Sequence, residues 1–188
     1  MGEVCTIIVS ELSFTIMKKE VIYAFIDSQN LNLGTSKDLY KGTKKVYEGW
    51  KLDFKKFRVY LSHKLRVTKA FIFIGFIAGQ ERLYNNLKSY GYTLVYKPTI
   101  QHPEGVVKGN VDTDLVLHAS VIEYQNYDKA VVVSGDGDFC CLHDYLIQKN
   151  KLASIVIPNK KSESVLLKKF QKYKLFLEYE KNKLEFRR

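Results

Sequence analysis

The sequence predicts an α/β domain, a three-layer sandwich around a mainly parallel five-stranded sheet. Three observations carry this reading. Five short apolar runs rich in β-branched and aromatic residues recur along the chain, the mark of strands buried on both faces. Segments with helical periodicity separate them, as the crossovers of a parallel sheet require. The chain has 188 residues, 46% hydrophobic and 27% charged, which suits one domain with a substantial core.

The elements follow in order. The opening MGEVCTIIVSELSFTI is mildly apolar but lacks a positive leader and a small-residue cleavage site, so residues 1–18 are expected to be an N-terminal extension rather than a signal peptide. VIYAFID (21–27) is the first strand. A polar, lysine-bearing stretch from Ser28 to Gly49 follows, then a helix over Leu52–Leu65 with Phe54, Phe57, Arg58 and Leu61 three and four apart. KAFIFIGFI (69–77) is the second strand, and Gln80–Tyr90 a helix closed by Gly91. TLVYKP (93–98) is the third, ended by Pro98, which cannot donate to a ladder. A loop leads to a helix from about Asp112 to Tyr124; KAVVVSG (129–135) is the fourth strand, followed by a helix over Phe139–Gln148. ASIVIP (153–158) is the fifth, and Ser164–Phe176 the closing helix. A single folded domain is expected over 19–177, with a basic C-terminal tail at 178–188.

Charge narrows the partners. Thirty Lys and Arg against twenty Asp and Glu give +10, which favours polyanions. Three cysteines without zinc-ligand spacing suit a reducing cytoplasm, and the histidines form no ligand pair. No segment is long and apolar enough to span a bilayer, so a membrane is not expected as a partner.

In so basic a chain the positions of the acids are informative. Asp27 ends the first strand, Asp136 and Asp138 follow the fourth in SGDGDF, and Asp112 and Asp114 open the preceding helix. Ligands of open α/β sheets bind beyond the carboxyl ends of the strands, where strand order reverses. One aspartate at a strand end is an ordinary cap or turn residue; three element ends offering aspartates to one edge suggest a site. Carboxylates so gathered raise one another's pKa unless a hard cation joins them, and Mg²⁺ or Mn²⁺ fits an all-oxygen set. Gly135 and Gly137 are expected to let the loop turn tightly and aim Asp136 and Asp138 at one point. Asp112 shares a helix face with Leu115, Val116 and Ala119 and is favoured as ligand, whereas Asp114 lies beside His118, exposed or outside the ligand set. His118 and His143 are expected to be structural.

AFIDSQNL, FIGF, YKPT, KGNVDTDLVLHA and VVVSGDGDF stand in the order and spacing of the NYN family, relatives of the PIN-like nucleases, and the chain looks closest to the LabA-like bacterial branch. The resemblance spans about Val21 to Phe170. It implies a PIN-like fold with the first strand beside the fourth. It further implies a metal-dependent ribonuclease whose acidic site matches Asp27, Asp112, Asp136 and Asp138. Asn30, in the D-x-x-N of the first motif, matches a polar assistant, and Ser134 the small hydroxyl residue before the acidic loop. The departures are the N-terminal extension and the stretch 34–49.

The expected substrate is RNA, single-stranded by preference, with Lys37, Lys41, Lys44, Lys45, Lys108, Lys160 and Lys161 holding its backbone and Tyr40, Tyr47 and Trp50 available to stack on bases. A non-catalytic RNA-binding or regulatory module that retains the fold is the alternative. A phosphatase working through an aspartyl-phosphate is disfavoured, because the D-x-D-x-[TV] pattern of HAD phosphatases is absent where this chain reads DSQNL. A homodimer is left open.

Overall fold

The computed structural model describes residues 19–97, 100–101, 107–108 and 111–187. The expected extension at 1–18 lies outside these residues. Strand β1 (Ile22–Asp27) is followed by α1 (Ser28–Ser36), a hairpin of β2 (Leu39–Lys41) and β3 (Lys44–Tyr47), and α2 (Phe54–Leu65). Then come β4 (Val67–Gly75), α3 (Glu81–Ser89), β5 (Tyr92–Lys97), and a short antiparallel pair of β6 (Ile100–Gln101) and β7 (Val107–Lys108). Helix α4 (Val111–Leu117) continues as a π turn (His118–Ile122). The remainder is β8 (Lys129–Val133), α5 (Cys140–Gln148), β9 (Leu152–Ile157), a 3₁₀ segment (Val165–Tyr173), β10 (Lys174–Phe176) and α6 (Lys181–Leu184).

The central sheet runs β10-β9-β8-β1-β4-β5, with every pairing parallel. The chain lays β4 and β5 on one side of β1, then returns to lay β8, β9 and β10 on the other. Strand order therefore reverses between β1 and β8, and a crevice opens at their carboxyl ends.

Alternate residues of each strand feed opposite cores. Ala24, Ile26, Val131 and Val133 pack with Leu31 of α1 and Phe57 and Leu61 of α2. Phe25, Phe71, Phe73 and Val132 pack with Leu115 of α4 and Leu146 of α5. Each of these buried side chains larger than Ala24 contributes about 1.5–3 kcal/mol by burial. These layers are the expected sandwich.

Two expectations are corrected. The sheet has six strands rather than five, because Lys174–Phe176, read as the end of the closing helix, pairs with β9. Three residues carry no legible period. The rest of that helix is 3₁₀, which suits Leu167 and Phe170, buried three apart. Residues 178–187 pack on the body: Leu184 is buried and Leu52 bridges Glu185.

Candidate active site

Asp27 is the last residue of β1 and the N-cap of α1. Its Oδ1 accepts from the backbone N–H groups of Gln29 and Asn30, each at 3.0 Å, which satisfies donors a helix start leaves open. Its other oxygen, Oδ2, accepts from Ser134 Oγ at 3.4 Å. The carboxylate is 4% exposed and its orientation is thus fixed from both sides.

The loop after β8 is tied to the same place. Asn30 Oδ1 accepts from the Gly135 N–H at 2.8 Å, and Ser134 Oγ accepts from the Asp136 N–H at 3.1 Å. Asp136 in turn caps the short 3₁₀ turn Gly137–Phe139, its Oδ1 accepting from the Asp138 N–H at 3.0 Å. Asn30 and Ser134 therefore join β1, α1 and the acidic loop into one hydrogen-bonded unit.

The glycines serve space rather than turning. Neither Gly135 nor Gly137 has a positive φ. A Cβ on Gly137 would stand 2.3 Å from Ser164 Oγ, so the loop rests directly on the turn that begins the 3₁₀ segment. Gly34 does likewise across the cleft, where a Cβ would lie 2.7 Å from Pro158 Cβ.

Asp27, Asp112 and Asp136 line one cleft of about 380 Å³, together with Asn30, Lys37 and Asn159. Asp138 is exposed and borders a different, shallower groove, which Asp112 also touches. Asp112 thus stands between the two. Burial pushes the Asp27 carboxyl upward; the N–H groups of Asn30 and Gln29 oppose this, and the charge of Asp112 adds to it. Asp112 is also raised, first by burial, then by the charges of Asp136 and Asp138, with Lys97 opposing. Asp112 is thus the electrostatic link of the group, its charge acting on Asp27 and the charges of Asp136 and Asp138 acting on it.

Asp114 faces elsewhere, paired with Lys97 at 3.5 Å. His118 is wedged against Phe71 and Phe73, and His143 is fully buried against Phe170 with its pKa lowered to about 4 by burial. Both positions are structural.

Of the lysines, Lys37 lines the cleft, and Lys160 and Lys161 are exposed on the turn after β9. Lys41, Lys44 and Lys45 are exposed on the β2–β3 hairpin, and Lys45 pairs with Asp38 at 2.8 Å. The Lys108 side chain lies outside the described residues. The stacking expectation is corrected for two aromatics. Tyr47 is buried with its hydroxyl donating to the Thr35 carbonyl, and Trp50 is buried in the core, so only Tyr40 is free to meet a base. They anchor the hairpin, which is why aromatics occur among its lysines.

Two polar residues of the site escaped the sequence reading. Lys97 ends β5 and Asn159 follows β9, so both obey the strand-end rule that marked the aspartates.

A family model, the NYN domain, matches residues 22–177. The chain belongs to the NYN family. The NYN domain is a PIN-like nuclease fold, and the family is generally one of ribonucleases. The solved structure of a protein of unknown function from Vibrio parahaemolyticus aligns with a TM-score of 0.61 and 22% identity, covering 85% of this chain and 94% of that one. At that identity the likeness is one of fold. No curated protein matches the chain. Among the described residues of this NYN domain, no helix is long and apolar enough to cross a membrane.

The donor set suits a hard divalent cation: carboxylate oxygens, with Asp27 buried and the pKa values of Asp27 and Asp112 raised by burial and neighbouring charge. Among the described residues no group of three or more aspartate, glutamate, histidine or cysteine side chains stands close enough together to hold a metal ion. A Mg²⁺ ion asks for fewer, since it keeps several waters and binds through one or two carboxylates.

Proposed function

We propose that this NYN domain is a metal-dependent ribonuclease that hydrolyses phosphodiester bonds of single-stranded RNA. The observation that carries the reading is the convergence of Asp27, Asp112 and Asp136 on one cleft at the point where strand order reverses, in a chain of net charge +10. Two of these acids, Asp27 and Asp112, have raised pKa values, and a cation in the cleft would relieve the repulsion behind them.

Asp27, Asp112 and Asp136, with Asp138 on the adjoining groove that Asp112 also borders, would hold Mg²⁺ or Mn²⁺. Bound there, the cation supplies an acidified water and a counter-charge for in-line attack at phosphorus. The protein's part is positioning. Asp27 keeps its orientation through the α1 N–H groups, and Asn30 and Ser134 hold the acidic loop against it. Lys37 at the cleft, with Lys160 and Lys161 nearby in sequence to Asn159, neutralises backbone phosphates without reading bases. The expected products carry a 5′-phosphate and a 3′-hydroxyl.

A binding module is favoured by one observation, that among the described residues no three acidic, histidine or cysteine side chains stand close enough to hold a metal ion. The deciding experiment incubates 5′-labelled single-stranded RNA with the wild type and Asp136→Asn in Mn²⁺, Mg²⁺ and EDTA. The asparagine keeps the cap on Asp138 while removing the charge. Cleavage by the wild type alone, abolished by EDTA, supports the nuclease. Salt-sensitive binding without cleavage by either protein supports the module instead.

A further inference from the structure

The cleft contains a donor that the acidic pattern leaves unexplained. Asn159 stands behind Pro158 just past β9, is 0% exposed, and borders the cleft shared by Asp27, Asp112 and Asp136. Its amide orientation follows from hydrogen-bond chemistry. One end accepts from the Lys161 N–H at 2.7 Å, and only the carbonyl oxygen can accept there. The other end is therefore the NH₂ group, and it has no partner. A buried donor left unpaired carries the full desolvation penalty of that group. The turn around it is otherwise satisfied: the Asn159 carbonyl accepts from the Ser162 N–H at 3.3 Å and from Ser162 Oγ at 3.2 Å.

An amide NH₂ cannot ligate a cation, so its complement is an acceptor. The cleft offers carboxylates and the oxygens of Gln29, Asn30 and Ser162 as acceptors, and none of them pairs with it. Lys37 lines the same cleft, while Lys160 and Lys161 lie exposed on the Asn159 turn, so the surroundings favour an anionic acceptor. The close fit of Gly34 on Pro158 sets the start of this turn directly against α1.

We propose that Asn159 is a phosphate-binding residue, its Nδ2 donating to a non-bridging oxygen of an RNA backbone phosphate seated beside Asp27, Asp112 and Asp136. This deepens, and rests on, the ribonuclease reading. A purely structural Asn159 needs only its Oδ1, whereas a phosphate ligand needs its Nδ2.

That difference defines the test. Asn159→Asp and Asn159→Ser each keep an acceptor for the Lys161 N–H and remove the donor. Binding of a 5′-fluorescein single-stranded RNA is followed by anisotropy in EDTA, where no cleavage is expected, beside thermal melts of each protein. About tenfold weaker binding by Asn159→Ser, and weaker still by Asn159→Asp, with melting temperatures unchanged, is the expected result. Binding equal to wild type in both variants overturns the proposal. In parallel, the Asn159 side-chain NH₂ resonances of the wild type are followed by NMR during titration with inorganic phosphate in EDTA. A saturable shift is expected, and no shift overturns the proposal even if the variants fail to fold. If the wild type neither binds nor cuts RNA, the ribonuclease reading falls, and the phosphate titration still decides the role of Asn159.

Discussion

The contact between Gly137 and Ser164 offers a sharp test of how the acidic loop is positioned. Gly137→Ala would place a Cβ 2.3 Å from Ser164 Oγ, 3.0 Å from Leu166 Cδ1 and 3.1 Å from Ser164 Cβ. The Leu166 tip can swing away, but Ser164 is held because its N–H donates to the Gly135 carbonyl at 3.1 Å. Overpacking of this kind costs about 1–3 kcal/mol. Against it stands a gain of about 0.4–1 kcal/mol from stiffening the unfolded chain, since Gly137 does not use a positive φ. The net loss should be about 1–2 kcal/mol. Ser164→Gly removes the obstructing side chain and costs only a few tenths at this cap position. Gly137→Ala/Ser164→Gly should therefore be more stable than Gly137→Ala alone, with a coupling of about 1 kcal/mol. Urea unfolding of the four proteins at constant m-value measures the cycle. Additivity within about 0.5 kcal/mol would refute the contact as the reason for glycine.

Three further outcomes follow from the site. Asn30→Ala leaves the Gly135 N–H without its 2.8 Å partner and should lower the unfolding free energy by about 1–3 kcal/mol, with RNA cleavage falling more than the stability loss explains. Asp112→Asn should raise the melting temperature in EDTA. An acid whose folded pKa is raised holds its proton more tightly when folded, so its stabilising effect is present at low pH and lost as pH rises through the folded value. Near neutrality the wild type has lost it; an unchanged or lower melting temperature for Asp112→Asn contradicts this. His143 runs the other way, from an ordinary value of 6.5 to about 4. The folded state binds fewer protons, so stability is intact above pH 6.5 and falls as pH drops toward 4, by about 3 kcal/mol in full. His143→Leu should flatten acid unfolding over that window, and an unaltered pH profile would exclude this histidine as the cause.

Much of the fold was legible because β1, β4, β8 and β9 are continuous apolar runs whose period and length leave little choice. The aspartates were legible for a related reason. Strand ends are where a sheet delivers side chains to a crevice, and Asp27 and Asp136 lie at two adjacent ends. What escaped the sequence was set by contacts across long separations. Nothing local marks Lys174–Phe176 as a strand, because its partner β9 lies earlier in the chain. Tyr47 and Trp50 read as surface aromatics because the lysines around them are exposed, while their own burial depends on α1 and the far core. Gly137 was read as a turn former when its constraint is Ser164, twenty-seven residues on by the sequence numbering. Asp138 stands two residues from Asp136 yet opens on the neighbouring groove, a division that sequence spacing does not carry.

The central claim is that Asp27, Asp112 and Asp136 act together on one divalent cation. Calorimetric titration of Mn²⁺ into the wild type, Asp27→Asn, Asp112→Asn, Asp136→Asn and the control Asp114→Asn tests it most directly, since asparagine keeps the caps made by Asp27 and Asp136. The account predicts saturable binding by the wild type and Asp114→Asn, and at least tenfold weaker binding in each of the other three, since each would lose a charged ligand. Wild-type affinity in those three variants, or no Mn²⁺ binding by the wild type itself, would contradict it.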